Sequence, residues 1–181
     1  MKKVLCIMSE QFEELEAVGT IALLRRAGIE VSVCSLHDHK ATGRFQITLS
    51  DLMCIEEANI SEYDALFLPG GPHYKELLKN KAVQQIIQVF HTQTKYICAI
   101  CAAPTILGHL GLLKNRQYTC FTSMNEDFGG TYIDKYTALD GHIITGRSAA
   151  AVIDFSFVII EQLLGKEKAE EVKNSIYYYQ S

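Results

Sequence analysis

The chain has 181 residues, 48% of them hydrophobic and 21% charged, with a net charge of −4. That length suits one globular domain burying roughly 70% of the surface its unfolded form exposes. Basic residues are scattered apart from Arg25 and Arg26, which excludes a nucleic-acid partner, because phosphate binding needs concentrated Lys and Arg.

The first apolar run, Val4 to Met8, falls short of the roughly 7–15 residues of a secretory signal. No run approaches the roughly 18 residues of a membrane span, so a cytoplasmic protein with no membrane partner is expected. There the six cysteines, Cys6, Cys34, Cys54, Cys98, Cys101 and Cys120, should be mostly reduced. Their even number therefore implies no disulfide framework, and most suit small buried hydrophobes.

In chain order, the spacing predicts a strand over Lys3–Met8, a helix over Glu13–Ala27 closed by Gly28, and a strand over Glu30–Ser35. Arg44–Leu49 alternates polar and apolar residues after a Thr-Gly turn and suits a hairpin arm or edge strand. A strand follows over Asp64–Pro69. Val83, Ile86, Ile87 and Phe90 then give the stripe of a helix over Ala82–His91. Strands are predicted over Tyr96–Ile100 and His142–Gly146. Val152, Phe155, Ile159 and Leu163 mark another helix, and the polar segment KEKAEEVKNSI a last one before the tail YYYQS. With no repeat or linker in view, this alternation predicts a single α/β domain over 1–181. Its form is a flavodoxin-like three-layer sandwich with a mostly parallel central sheet.

Ligands in such sheets bind at the carboxyl ends of the strands. Three ends carry chemistry here. Strand Tyr96–Ile100 runs into Cys101, with small residues Ala99, Ala102 and Ala103 around it and Pro104 behind. This suits a strand–nucleophile–helix elbow with a helix beginning at Ala102 or Ala103. Facing that helix end, the thiol is expected to have a lowered pKa. The first strand leads to Glu13, Glu14 and Glu16. Of these Glu16, among Leu15, Ala17 and Val18, is the one burial would keep protonated as a hydrogen-bond donor to a thiolate. Periodicity alone does not choose among the three. The third end is Pro69-Gly70-Gly71-Pro72, whose glycines let backbone N–H groups approach a developing oxyanion.

Competing chemistries fit less well. In Cys98-Ala-Ile-Cys101 the first cysteine lies within the apolar strand, and residues three apart on a strand face opposite ways, which disfavours a redox pair. A lone CxxC lacks the second ligand pair of a structural zinc site. His37 and His39 offer metal ligands, but a solvated loop after the second strand explains them more simply. No metal or other cofactor is expected.

EELEAV, RRAGIEV, YDALFLPGG, AICAAPT, HIITGR and LLGKEKAEEVK, in this order, resemble the ThiJ/PfpI superfamily, nearest to its parkinsonism-associated protein deglycase branch. The resemblance implies a flavodoxin-like homodimer with Cys101 as an oxidisable nucleophile and Glu16 as its protonated partner. It also implies Glu13 lining the pocket and an anion pocket of the Gly70, Gly71 and Ala102 amides. The implied activity is a cofactor-free glyoxalase or deglycase reaction on methylglyoxal or early glycation adducts. Family members are also described as oxidative-stress sensors, through oxidation of the same thiol, and as chaperones. Three departures stand out. Phe121 occupies a position where some members have histidine, Ala103 replaces the glycine usual in CAGP, and Ser148-Ala149 stand where Gly-Pro is common. Ala102 is histidine in the peptidase-like branch, so a Cys-His protease is not implied. For the dimer, the small residues Ala17, Gly19 and Ala22 of the first helix would permit close packing, and Tyr177, Tyr178 and Tyr179 either cover a subunit seam or pack the chain's own terminus.

Overall fold

A computed structural model describes residues 1–178. The elements run β1 (Lys3–Met8), α1 (Glu14–Arg26), β2 (Glu30–Ser35), β3 (Lys40–Thr42), β4 (Thr48–Ser50), β5 (Met53–Cys54), β6 (Ala65–Leu68), α2 (Tyr74–Lys79) and α3 (Lys81–Thr92). They continue with β7 (Tyr96–Ile100), α4 (Pro104–His109), β8 (Gln117–Tyr118), β9 (Thr131–Tyr132), β10 (Thr137–Asp140), β11 (Ile143–Gly146), α5 (Val152–Leu164) and α6 (Lys166–Ser175).

Seven strands form the central sheet in the order β10-β11-β7-β6-β1-β2-β5, all parallel except the edge strand β10. Both faces are covered, and this explains the near-continuous apolar strands. Val4, Cys6 and Met8 join the core under α1, α5 and α6. Leu5 and Ile7 join the core under α2, α3 and α4. The α3 stripe Val83, Ile86, Ile87 and Phe90 is buried as its spacing requires, each side chain contributing roughly 1.5–3 kcal/mol. The predicted α/β sandwich is thus the observed fold. No helix among the described residues is long and apolar enough to cross a membrane.

Two expectations are corrected. The Arg44–Leu49 arm is mostly turn, and strand pairing is confined to Lys40–Thr42 with Thr48–Ser50. The reason is Glu14, whose Oε1 accepts hydrogen bonds from the N–H of Phe45 (2.6 Å) and Ile47 (3.3 Å) and so holds the turn. Ala17 is fully buried in its own domain. Gly19 meets α5, where a Cβ would lie 2.8 Å from Val152 Cγ1. Those two small residues therefore serve packing within the chain. At the end of the chain, Tyr178 donates to Asp154 Oδ1 at 2.8 Å and stacks edge-on against Phe157. Tyr179 lies outside the described residues.

The chain leaves β1 toward β2 on one side and returns to β6 on the other. This reversal opens the crevice at the carboxyl ends where doubly wound folds place their ligands.

Candidate active site

The elbow comes first. Cys101 follows β7 with φ +63°, a left-handed conformation that costs a residue bearing a Cβ on the order of 1–3 kcal/mol. Neighbouring backbone fixes it there. The Cys101 N–H donates to the Gly146 carbonyl at 2.8 Å, the Phe121 N–H donates to the Cys101 carbonyl at 2.8 Å, and the Ala103 N–H donates to the Ile100 carbonyl at 3.0 Å. Ala99, Ala102 and Ala103 are buried around the turn, so bulkier side chains would have no room. Helix α4 starts at Pro104, with proline in its first turn. It begins later than predicted, because proline has no N–H to give up at that position and a preset φ.

The three glutamates have three different roles. Glu13 caps α1, accepting the Glu16 N–H at 2.7 Å. Glu14 is buried and holds the β3–β4 turn. Glu16 is buried beside the elbow, its Oε2 accepting the Gly70 N–H at 3.0 Å, and its carboxyl and the Cys101 side chain border the same space over Gly70. Burial pushes the Glu16 carboxyl up to about 7; the Cys101 hydrogen bond opposes this, Glu13 adds to it, and the Gly70 N–H and Arg44 pull it back.

Cys101 is half-buried, and its thiol moves opposite to expectation. Burial pushes it up, the Glu16 charge and hydrogen bond push it further, and only the Ala102 N–H works the other way. The expected lowering by a helix end is overturned, because α4 is short, starts three residues on, and is outweighed by burial first and by the neighbouring carboxylate second. Cys101 and Glu16 are therefore one titrating unit. A carboxyl near 7 is matched to taking a proton from a thiol at neutral pH.

The glycine pair sits against this unit. A Cβ on Gly70 would lie 2.3 Å from Glu16 Oε2 and 2.7 Å from Cys101 Cβ, so no other residue fits. Gly71 has φ +102°, and a Cβ there would meet the Glu13 nitrogen at 2.5 Å. The Gly70 amide does not face an open anion pocket. It donates to Glu16 and positions that carboxyl, which leaves Gly71 and Ala102 of the amides expected there. Cys98 is fully buried in the α1/α5 layer, and burial raises its thiol strongly. The reversal at Cys101 carries residue 101 against that same layer, so the simple opposite-face rule ends where the strand ends.

His73 was not anticipated. Its ring is buried, with Nδ1 accepting the Ser9 N–H at 3.1 Å and Nε2–H donating to the Pro69 carbonyl at 2.8 Å. Burial holds it neutral, its pKa pushed down to about 4. It ties the end of β1 to the glycine loop. Its only sequence signal was a histidine directly after Gly-Gly-Pro. Phe121, bonded through its backbone to Cys101, brings no titratable side chain to the elbow.

A family model described as DJ-1/PfpI family matches residues 2–162. The chain is 33% identical over 180 residues to Protein DJ-1 homolog B of Arabidopsis thaliana, covering 97% of this chain but 41% of that protein's length. It is 30% identical over 148 residues to a protein of Pyrococcus abyssi named deglycase, covering 80% of this chain and 89% of the relative. The crystal structure of a cysteine-to-alanine mutant of a DJ-1 superfamily protein from Salmonella typhimurium superposes with TM-score 0.94 at 32% identity, over 99% of this chain and all of that one. On sequence and fold together, this chain belongs to the DJ-1/PfpI family.

Proposed function

We propose that the protein is a cysteine-dependent, cofactor-free deglycase that also turns over methylglyoxal. The observation that carries this reading is a buried Glu16 carboxyl held by the Gly70 N–H beside Cys101 on a strained elbow. Relatives named deglycase support it. Glu16 takes the thiol proton as the sulfur bonds to the aldehyde carbon, and the carbonyl oxygen gains a proton to give a hemithioacetal. Glu16 then removes the proton from that carbon and returns one to the adjacent carbon, leaving a thioester. Water cleaves the thioester, releasing lactate and the free thiol, so methylglyoxal and one water give one lactate. Gly71 and Ala102 supply amides toward the oxygen that gains charge. Burial raises the Glu16 carboxyl, and Glu13 adds to that. The test is lactate formed from methylglyoxal by the wild type and by Cys101→Ala. Equal rates would remove the proposal.

A second reading, a redox sensor or chaperone without turnover, is favoured by Phe121 at the elbow in place of a proton carrier. Intact mass after mild peroxide distinguishes it: two oxygens on Cys101 with no lactate formed would select it. The working form we propose is a cytoplasmic homodimer. An apolar groove of about 560 Å³ runs along the outer face of α1 beside the β3–β4 turn and includes Leu15, Val18, Ala22, Phe45 and Ile47. A monomer mass in light scattering would contradict the dimer.

A further inference from the structure

Far along the sheet from Cys101, at the edge made by β5, three side chains of metal-binding type converge. His39 precedes β3, Cys54 ends β5, and Glu57 lies in the 3₁₀ turn Ile55–Glu57 that follows. Their donor atoms all lie within 4.8 Å of one another, and this is the single such group among the described residues. We propose that His39, Cys54 and Glu57 form a binding site for a divalent transition-metal ion that favours sulfur and nitrogen ligands, zinc above all.

The spacing suits such an ion. Cys54 Sγ stands 3.7 Å from each ring nitrogen of His39, so a turn of the exposed imidazole brings Nε2 to face an ion held by the sulfur. With zinc–nitrogen near 2.0–2.1 Å and zinc–sulfur near 2.3 Å, tetrahedral ligands would stand about 3.6 Å apart. The outer partners are also in place. His39 Nδ1 lies 2.8 Å from the Leu52 carbonyl, which only accepts, so Nδ1 carries the proton and Nε2 presents its lone pair. That is the arrangement that orients metal-bound imidazoles. Glu57 Oε2 accepts the Cys54 N–H at 2.7 Å, which fixes the carboxylate and leaves Oε1 for an ion.

The scaffold is fixed as well. Cys54 pairs with Ser35 of β2, and the Leu52 N–H donates to the His39 carbonyl at 2.9 Å, so loop and strand are joined without the metal. Charge points the same way. One thiolate and one carboxylate balance a divalent charge, and three protein ligands leave a fourth position for water. His37 takes no part, since its Nε2 pairs with Glu76 Oε1 across the surface. Of the two histidines read as solvated loop, His39 is therefore the one that joins a cluster. Its partners lie 15 and 18 positions further along the chain, a spacing no zinc motif announces.

The experiment is titration of the metal-free full chain with zinc against a chromophoric chelator, alongside cobalt absorbance. One equivalent of zinc should bind, and cobalt should show a thiolate charge-transfer band with tetrahedral visible bands. Cys54→Ser should weaken zinc binding by about 100-fold or more, since loss of an outer partner alone costs roughly 10–100-fold. Glu57→Gln, which keeps an acceptor for the Cys54 N–H, should weaken it measurably while leaving the melting temperature of the metal-free chain unchanged. His37→Ala and Cys101→Ala should bind as the wild type does. Absence of zinc binding, equal binding by Cys54→Ser, or a cobalt spectrum without a thiolate band would each overturn the proposal.

Discussion

Two buried titratable groups stand at the same carboxyl edge of the sheet on opposite terms. His73 has a partner for each ring nitrogen and remains neutral. Glu16 and Cys101 share one contact, sit on or against strained backbone, and are both penalised by burial. The satisfied group fixes the glycine loop, and that loop in turn holds the unsatisfied pair through the Gly70 N–H. Strain persists at reactive positions only where the surroundings over-determine it, and here His73 belongs to those surroundings.

The two groups should tilt stability in opposite directions with pH. His73 is depressed from 6.5 to about 4, so its neutral form stabilises the fold above 6.5. That contribution is lost as pH falls toward 4, by roughly 3 kcal/mol in all at about 1.4 kcal/mol per unit. Glu16 is raised from 4.5 to about 7. Its contribution is fully present below 4.5 and is lost as pH rises through 7, a change of similar order.

Variants on either side of this contrast should differ sharply. Cys101→Ala should lower methylglyoxal turnover by about a thousandfold or more, as loss of a nucleophile does, while the protein melts at least as high as wild type. Glu16→Gln should cost on the order of 10²–10⁴ in kcat/KM. Because it removes a group whose ionisation opposes folding, it should melt higher than wild type at pH 8 and gain least at pH 5. His73→Ala leaves the Ser9 N–H and the Pro69 carbonyl without partners and should cost about 2–4 kcal/mol in chemical denaturation. Unlike Glu16→Gln, it should lose that stability at pH 8 and lose little at pH 4. Phe121→His should change turnover the least, by less than about tenfold, because Glu16 already carries the proton.

Much of this was legible in the chain itself. β1, β6 and β7 are near-continuous apolar runs because both faces of a parallel sheet are buried. α3 shows its stripe because one face alone is covered. β5, α2 and α4 are too short for a period to emerge, and β10 is an edge strand with a half-exposed pattern. Cys101 was visible because an elbow needs small neighbours and tolerates a proline just behind. Glu16 could not be told from Glu13 and Glu14 by periodicity, since all three lie within the first turn of one helix and tertiary partners alone separate them. The thiol's direction was misread for a related reason. Helix position is a local property, whereas the Glu16 contact joins the ends of β1 and β7. His73 was missed because a loop histidine gives no sign of burial.

The most direct measurement is the pH dependence of Cys101 alkylation in the wild type and in Glu16→Gln. If sulfur and carboxyl share a proton, the wild-type rate should rise with a midpoint near 7, the value at which Glu16 titrates. With the glutamine the midpoint should move above the about 8.5 of a free cysteine. Superimposable profiles for the two proteins, both centred where an unfolded thiol titrates, would contradict the account.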